Sequence, residues 1–156
     1  MEDKFQPNID NLINCQGSMT ALLRNTYQSI DVKIIHTGFD IDDPHIYKRY
    51  VTINHNNIPI LLAVSYTDIK YQHFYNILIK AGNKSIGDSL FAVDSYIVRD
   101  YEIMKQYIDI NELPLVLQSF LNNQHFNTHL KIIKRESKFY YQEEILYVVE
   151  YIPIIS

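Results

Sequence analysis

Cysteine is almost absent from this chain of 156 residues. Cys15 stands alone, so no internal disulfide and no cysteine-rich zinc site can form. Glycine is scarce too, at four residues, and no glycine-rich loop follows a strand-like run. Dinucleotide and P-loop sites need such loops to bring backbone against phosphate, and both are excluded. An excess of basic residues is also missing. Lys and Arg total 14 against 18 Asp and Glu, a formal charge of −4, which gives no electrostatic footprint for nucleic acid or an anionic membrane. No apolar run approaches the roughly 18 residues that would span a bilayer. The opening MEDKFQPNID lacks the basic-then-apolar order of a secretory signal, so the chain is expected to work in a reducing compartment, where it is made. Tryptophan is missing, while Ile, Asn, Tyr and Lys abound. That tilt is a codon bias of AT-rich genomes, many plastids among them, and says nothing about function.

What is present is a core. A hydrophobic content of 47% and an aromatic content of 13% mark a packed domain, one unit spanning residues 1–156 and able to bury about 70% of its unfolded surface. NIDNLINC and SMTALLRNTY read as short helices, the second with Ser18 as N-cap. Tyr71, Phe74, Tyr75 and Leu78 recur at helical spacing, as do Leu113, Val116, Leu117, Phe120 and Leu121 in a helix expected near 113–123. Alternating runs predict strands near 31–39, 48–54, 58–65, 95–103, 128–136 and 143–152. Six strands joined mostly by short connections predict an α+β domain with an antiparallel sheet rather than a βαβ fold.

Two local motifs carry little chemistry. GDSL at Gly87–Leu90 copies a serine-esterase tetrapeptide, but no D-x-x-H follows it, and a serine without its base is not activated. A turn that uses the freedom of Gly87 is the expectation there. His125 and His129 are four apart, a metal-ligand spacing only on a helix, and a strand is expected to begin nearby. No metal site is expected.

Two charges sit where apolar residues belong. On a strand, Arg49 shares a face with Val51 and Ile53, and Glu150 shares one with Leu146, Val148 and Ile152. A buried charge without a partner costs several kcal/mol. Either the two neutralise each other as a structural ion pair, or they line a closed pocket for a small polar anion. In that pocket arginine would be a carboxylate fork and glutamate an acid or base.

Around these residues the sequence resembles the chorismate pyruvate-lyase family, homologues encoded in red-algal plastids included. The similarity lies in GSMT at Gly17–Thr20, VKIIHTGF at Val32–Phe39 and Arg49 followed ten residues later by Pro59. It continues through SIG at Ser85–Gly87 with Leu90–Phe91, VRDY at Val98–Tyr101 and VEYIP at Val149–Pro153. The resemblance implies a six-stranded antiparallel sheet, with helices covering an internal ligand pocket. It implies a lyase that converts chorismate to 4-hydroxybenzoate and pyruvate without cofactor, at the start of quinone ring synthesis, in a plastid stroma or else the cytoplasm. The implied ligand contacts are Met19, Arg49, Ile86 (through its backbone) and Glu150, with Arg49 and Glu150 catalytic. Bacterial members carry a second arginine after the proline, where this chain has Ala63-Val64-Ser65. The second cation is then Lys33, His36 or Arg99, or is lacking. The helix near 113–123 is either a lid or a cover for the sheet. The competing reading is a non-catalytic module that binds an aromatic carboxylate, and the oligomeric state is left open.

Overall fold

Strand alternation and two tight turns organise the sheet. The computed structural model describes residues 9–121 and 130–154. Strand β1 (Asp31–Phe39) pairs with β2 (Ile46–His55), which turns back into β3 (Ile58–Asp68). The turn is Asn56-Asn57, with φ of 51° and 66°, the left-handed pair that matches the twist of a two-residue hairpin and that asparagine tolerates. Strands β6 (Lys131–Tyr141) and β7 (Glu144–Ile154) form the second long hairpin, and β7 docks antiparallel on β3. Two shorter strands, β4 (Val98–Arg99) and β5 (Met104–Asp109), both pair with the outer edge of β6.

The sheet therefore has seven strands, not the expected six. The run at 95–103 is not one strand: only Val98 and Arg99 pair, Tyr96 has φ 57°, and the Asp100 side chain accepts from Glu102 N–H at 3.0 Å, which turns the chain. β5 escaped the pattern because it is an edge, exposed at five of its six residues.

Each face of the sheet carries its own core. On one side α5 (Leu115–Leu121) lays Leu117 and Leu121 against Leu62, Val64, Ile132, Val149 and Tyr151. This helix covers the sheet and is no lid. On the other side α1 (Ile9–Ile13) and α2 (Met19–Tyr27) pack Leu12, Met19 and Leu23 on Ile53, Leu61, Ile133 and Ile152. Beside them α3 (Gln72–Lys80) and α4 (Gly87–Leu90) pack Phe74, Leu78, Ile86 and Leu90 on Phe139, Leu146 and Val148. Ser18 caps α2 as expected, its Oγ accepting from Ala21 N–H at 3.2 Å. The seam between these last two clusters is where the inward charges lie.

The GDSL segment forms α4. Gly87 is needed for space rather than for a turn: a Cβ there would come within 2.9 Å of Ser18 Oγ. His125 and His129 fall outside the described residues, and among the described residues no cluster of His, Cys, Asp and Glu could hold a metal. No helix of the described residues is long and apolar enough to cross a membrane.

Candidate functional site

Register sets four neighbouring strands to aim polar groups at one place. Arg49 on β2 stands opposite Ser65 on β3, which stands opposite Val148 on β7, opposite Ser137 on β6. Two residues along, the same row reads Val51, Ala63, Glu150 and Arg135. Small residues at Ala63 and Ser65 leave room that larger ones would fill. Above the sheet, the starts of α2 and α4 close over that room, with Thr20 Oγ1 and Ser85 Oγ 2.8 Å apart.

The result is a cavity of about 60 Å³, taken as the space in which a water molecule's centre can move. One water needs roughly 10–15 Å³ on that measure, so a small organic molecule fits. Its walls are mostly apolar, with Val51, Ile53, Leu61, Ile86, Leu90 and Val148 among them. Its polar groups are few: Arg49, Arg99, Glu150 and the hydroxyls of Ser18, Thr20, Ser65 and Ser85.

Arg49 is only 2% exposed and no carboxylate lies within salt-bridge distance of it among the described residues. Its Nη2 donates to the carbonyls of Gly82 at 3.2 Å and Lys84 at 2.6 Å, in the loop between α3 and α4. Its Nε–H is buried with no acceptor. Burial pushes the guanidinium's pKa down, with Tyr47 opposing. This is a cation held in place through Nη2, with its Nε–H unused.

Across the cavity Arg99 donates from Nη1 to the carbonyls of Gln16 at 2.7 Å and Gly17 at 3.0 Å, and from Nη2 to Ser137 Oγ at 2.7 Å. It lies over the rings of Phe91 and Phe139, and its Nε–H also lacks an acceptor. Arg135 is fully buried. Its guanidinium donates to the carbonyls of Leu12 and Cys15, fastening the segment after α1.

Glu150, 7% exposed, lies between these two arginines. Its Oε1 is 4.0 Å from Arg99 Nη2 and 3.9 Å from Arg135 Nε. Both distances are ion-pair contacts too long for hydrogen bonds, and Oε1 has no hydrogen-bond partner. Burial pushes its carboxyl pKa up, and Arg135 and Arg99 pull it partly back.

The structural ion pair between Arg49 and Glu150 is thus not formed. Arg49, Glu150, Met19 and Ile86 all line the one cavity. Of the three candidates for a second cation, Arg99 lines it, while Lys33 and His36 sit exposed on β1. Arg135 was missed, although Ile133, Arg135, Ser137 and Phe139 alternate along β6 in the same way as the residues around Arg49. With two buried arginines, the half-buried Arg99 and one buried carboxylate, the cluster carries an excess of positive charge that no other carboxylate among the described residues pairs with.

No protein-family model and no curated protein matches the chain. Solved structures do. The C-terminal domain of the histidine utilization repressor from Pseudomonas syringae pv. tomato matches with a TM-score of 0.54 at 8% identity, over 80% of this chain and 92% of that one. The possible transcriptional regulator YydK from Bacillus subtilis matches with a TM-score of 0.55 at 14% identity, over 80% of this chain and 57% of that one. The gene product SA0254 from Staphylococcus aureus matches with a TM-score of 0.57 at 14% identity, over 83% of this chain and 86% of that one. These matches correct the expected chorismate pyruvate-lyase. The fold is that of domains in a repressor and a possible transcriptional regulator, and the enzyme and its quinone pathway go with that correction. Three of the six motifs have a structural role: Ser18 caps a helix, Gly87 lets two helix starts meet and Pro59 follows a hairpin turn.

Proposed function

We propose that this chain is a small-molecule binding domain of the regulatory kind, and that its ligand is a small organic anion with an apolar body, such as an aromatic carboxylate, bound and released unchanged. Met19, Arg49, Ile86 and Glu150 are its contacts, with Arg99 beside Glu150. One observation carries this reading. Arg49 lines the cavity, is buried without a carboxylate among the described residues, and keeps an Nε–H with no acceptor. Such a cation is costly until an anion arrives, and the planar edge of arginine fits a carboxylate with two parallel bonds. The apolar walls suit a ring better than a polyol. Glu150, as an acceptor without a donor, suits a hydroxyl or N–H at the far end. The resemblance to domains of a repressor and a possible transcriptional regulator supports a role in sensing.

Calorimetric titration of the chain with benzoate and 4-hydroxybenzoate tests it, with benzamide and phenol as uncharged controls. Saturable binding of the carboxylates, weak or no binding of the controls, and recovery of the ligand unaltered by NMR are expected. Equal affinity for benzoate and benzamide, or conversion of the ligand, would sink the reading.

A further inference from the structure

We propose that strand β5 is a self-association edge, through which two copies of this chain join their sheets about a twofold axis at Tyr107. Among the described residues β5 pairs only with β6. The β5–β6 ladder runs from Met104–Glu136 to Asp109–Lys131 without a bulge. Asp109 N–H, at the end of β5, goes to Glu112 Oε2 at 2.8 Å and not to β6. In a regular antiparallel ladder N–H and C=O alternate sides, so Lys105 and Tyr107 also aim theirs away from β6. That is an open row of backbone donors and acceptors, which a sheet normally hides or blunts.

The side chains on this row choose the partner. Lys105, Tyr107 and Asp109 share one face of β5. When a second β5 pairs antiparallel with Tyr107 opposite Tyr107, Lys105 of each copy falls opposite Asp109 of the other. Within one copy Lys105 Nζ donates to Asn14 Oδ1 at 3.2 Å and the Asp109 carboxylate accepts from the Glu112 N–H, both exposed contacts. Self-pairing adds two opposite-charge cross-strand pairs that flank an aromatic pair, and each such pair stabilises a sheet. Self-pairing centred on Lys105 or on Asp109 would instead set like charges opposite each other, so the charge pattern selects one register. Apolar surface agrees with this edge: Met104 and Tyr107 are each 67% exposed. A lone lysine in an edge strand deters pairing; here an aspartate four residues on reverses its effect. Glu112 still occupies Asp109 N–H, so the joint has four backbone hydrogen bonds: two between the Tyr107 residues and one from each Lys105 N–H to Asp109 C=O.

Sedimentation velocity on the whole chain, from low to high micromolar concentration, tests the proposal. The wild type is expected to shift from one mass to twice that mass. Lys105→Glu, which gives up the exposed bond from Lys105 Nζ to Asn14 Oδ1 but no backbone pairing with β6, places like charges opposite each other at both ends and should weaken association at least tenfold. Tyr107→Pro removes an outward N–H and should leave monomer, with circular dichroism confirming the fold. If that variant unfolds, Lys105→Glu decides alone. A wild type that stays monomeric throughout, or a Lys105→Glu variant that dimerises as well as wild type, overturns the proposal.

Discussion

Replacing Arg49 with methionine separates a ligand anchor from a structural clamp. The apo protein would lose two hydrogen bonds from a charged donor, to Gly82 and Lys84 carbonyls. Each is worth about 1.5–3 kcal/mol, so the loss alone is roughly 3–6 kcal/mol. Against it stands the cost of holding a guanidinium in an apolar site with an unpartnered Nε–H, again several kcal/mol. Methionine fills similar volume and adapts its shape. The two effects nearly cancel, and Arg49→Met is expected to change the unfolding free energy by no more than about 2 kcal/mol in urea. Its affinity for benzoate should fall by about 2–5 kcal/mol, which at 1.4 kcal/mol per tenfold is between about 30-fold and a few thousand-fold. Urea unfolding and calorimetry on the one variant give both numbers. A variant that loses about 3–6 kcal/mol of stability yet binds benzoate like wild type would show that Arg49 only ties the α3–α4 loop to the sheet.

Glu150→Gln should alter how stability depends on pH. Burial raises the folded carboxyl above its ordinary value of 4.5. The folded state therefore holds the proton more tightly than the unfolded state does, and wild-type stability falls as pH rises from below that value through the folded pKa. Melting curves in a pH series should show the glutamine variant gaining on wild type over that window, and parallel curves would refute it. Gly87→Ala should cost about 1–2 kcal/mol, because the new Cβ displaces the Ser18 hydroxyl 2.9 Å away and with it the α2 cap. In a double-mutant cycle with Ser18→Ala the losses should be less than additive; strict additivity would show that the two sites are uncoupled. Leu117→Ala, at a fully buried position on the sheet-facing side of α5, should cost about 2–5 kcal/mol while benzoate affinity stays within twofold. A large affinity change would mean that α5 does reach the cavity.

Arg49 and Glu150 were legible in the sequence because each breaks an apolar alternation, Arg49 ahead of Val51 and Ile53 on one strand and Glu150 between Val148 and Ile152 on the other. Arg135 sits in an equally regular alternation but was hidden by its outward neighbours: Lys134, Glu136 and Lys138 make KRESK look like a solvated run. The partners of Glu150 were not legible at all. They depend on β7 lying between β3 and β6, and long-range strand order has no local signature. β5 was missed for another reason, since an exposed edge has no buried face to impose a hydrophobic period. The helices were easier, because Ser18 and the Phe74–Leu78 spacing act within one or two turns. Function was the least legible, because residues of the short motifs that suggested a reaction, Ser18, Gly87 and Pro59, have structural places of their own in this fold.

The central strands of this sheet interleave two texts letter by letter. On β3, Leu62 and Val64 face α5 while Ala63 and Ser65 face the cavity, and on β7 Val149 and Tyr151 alternate in the same way with Val148 and Glu150. Every second residue keeps the domain folded, and every other one shapes what it can hold. Substitutions at the cavity positions can therefore accumulate while the opposite core is left as it is. A lineage of such domains is free to exchange one ligand for another without first finding a new fold.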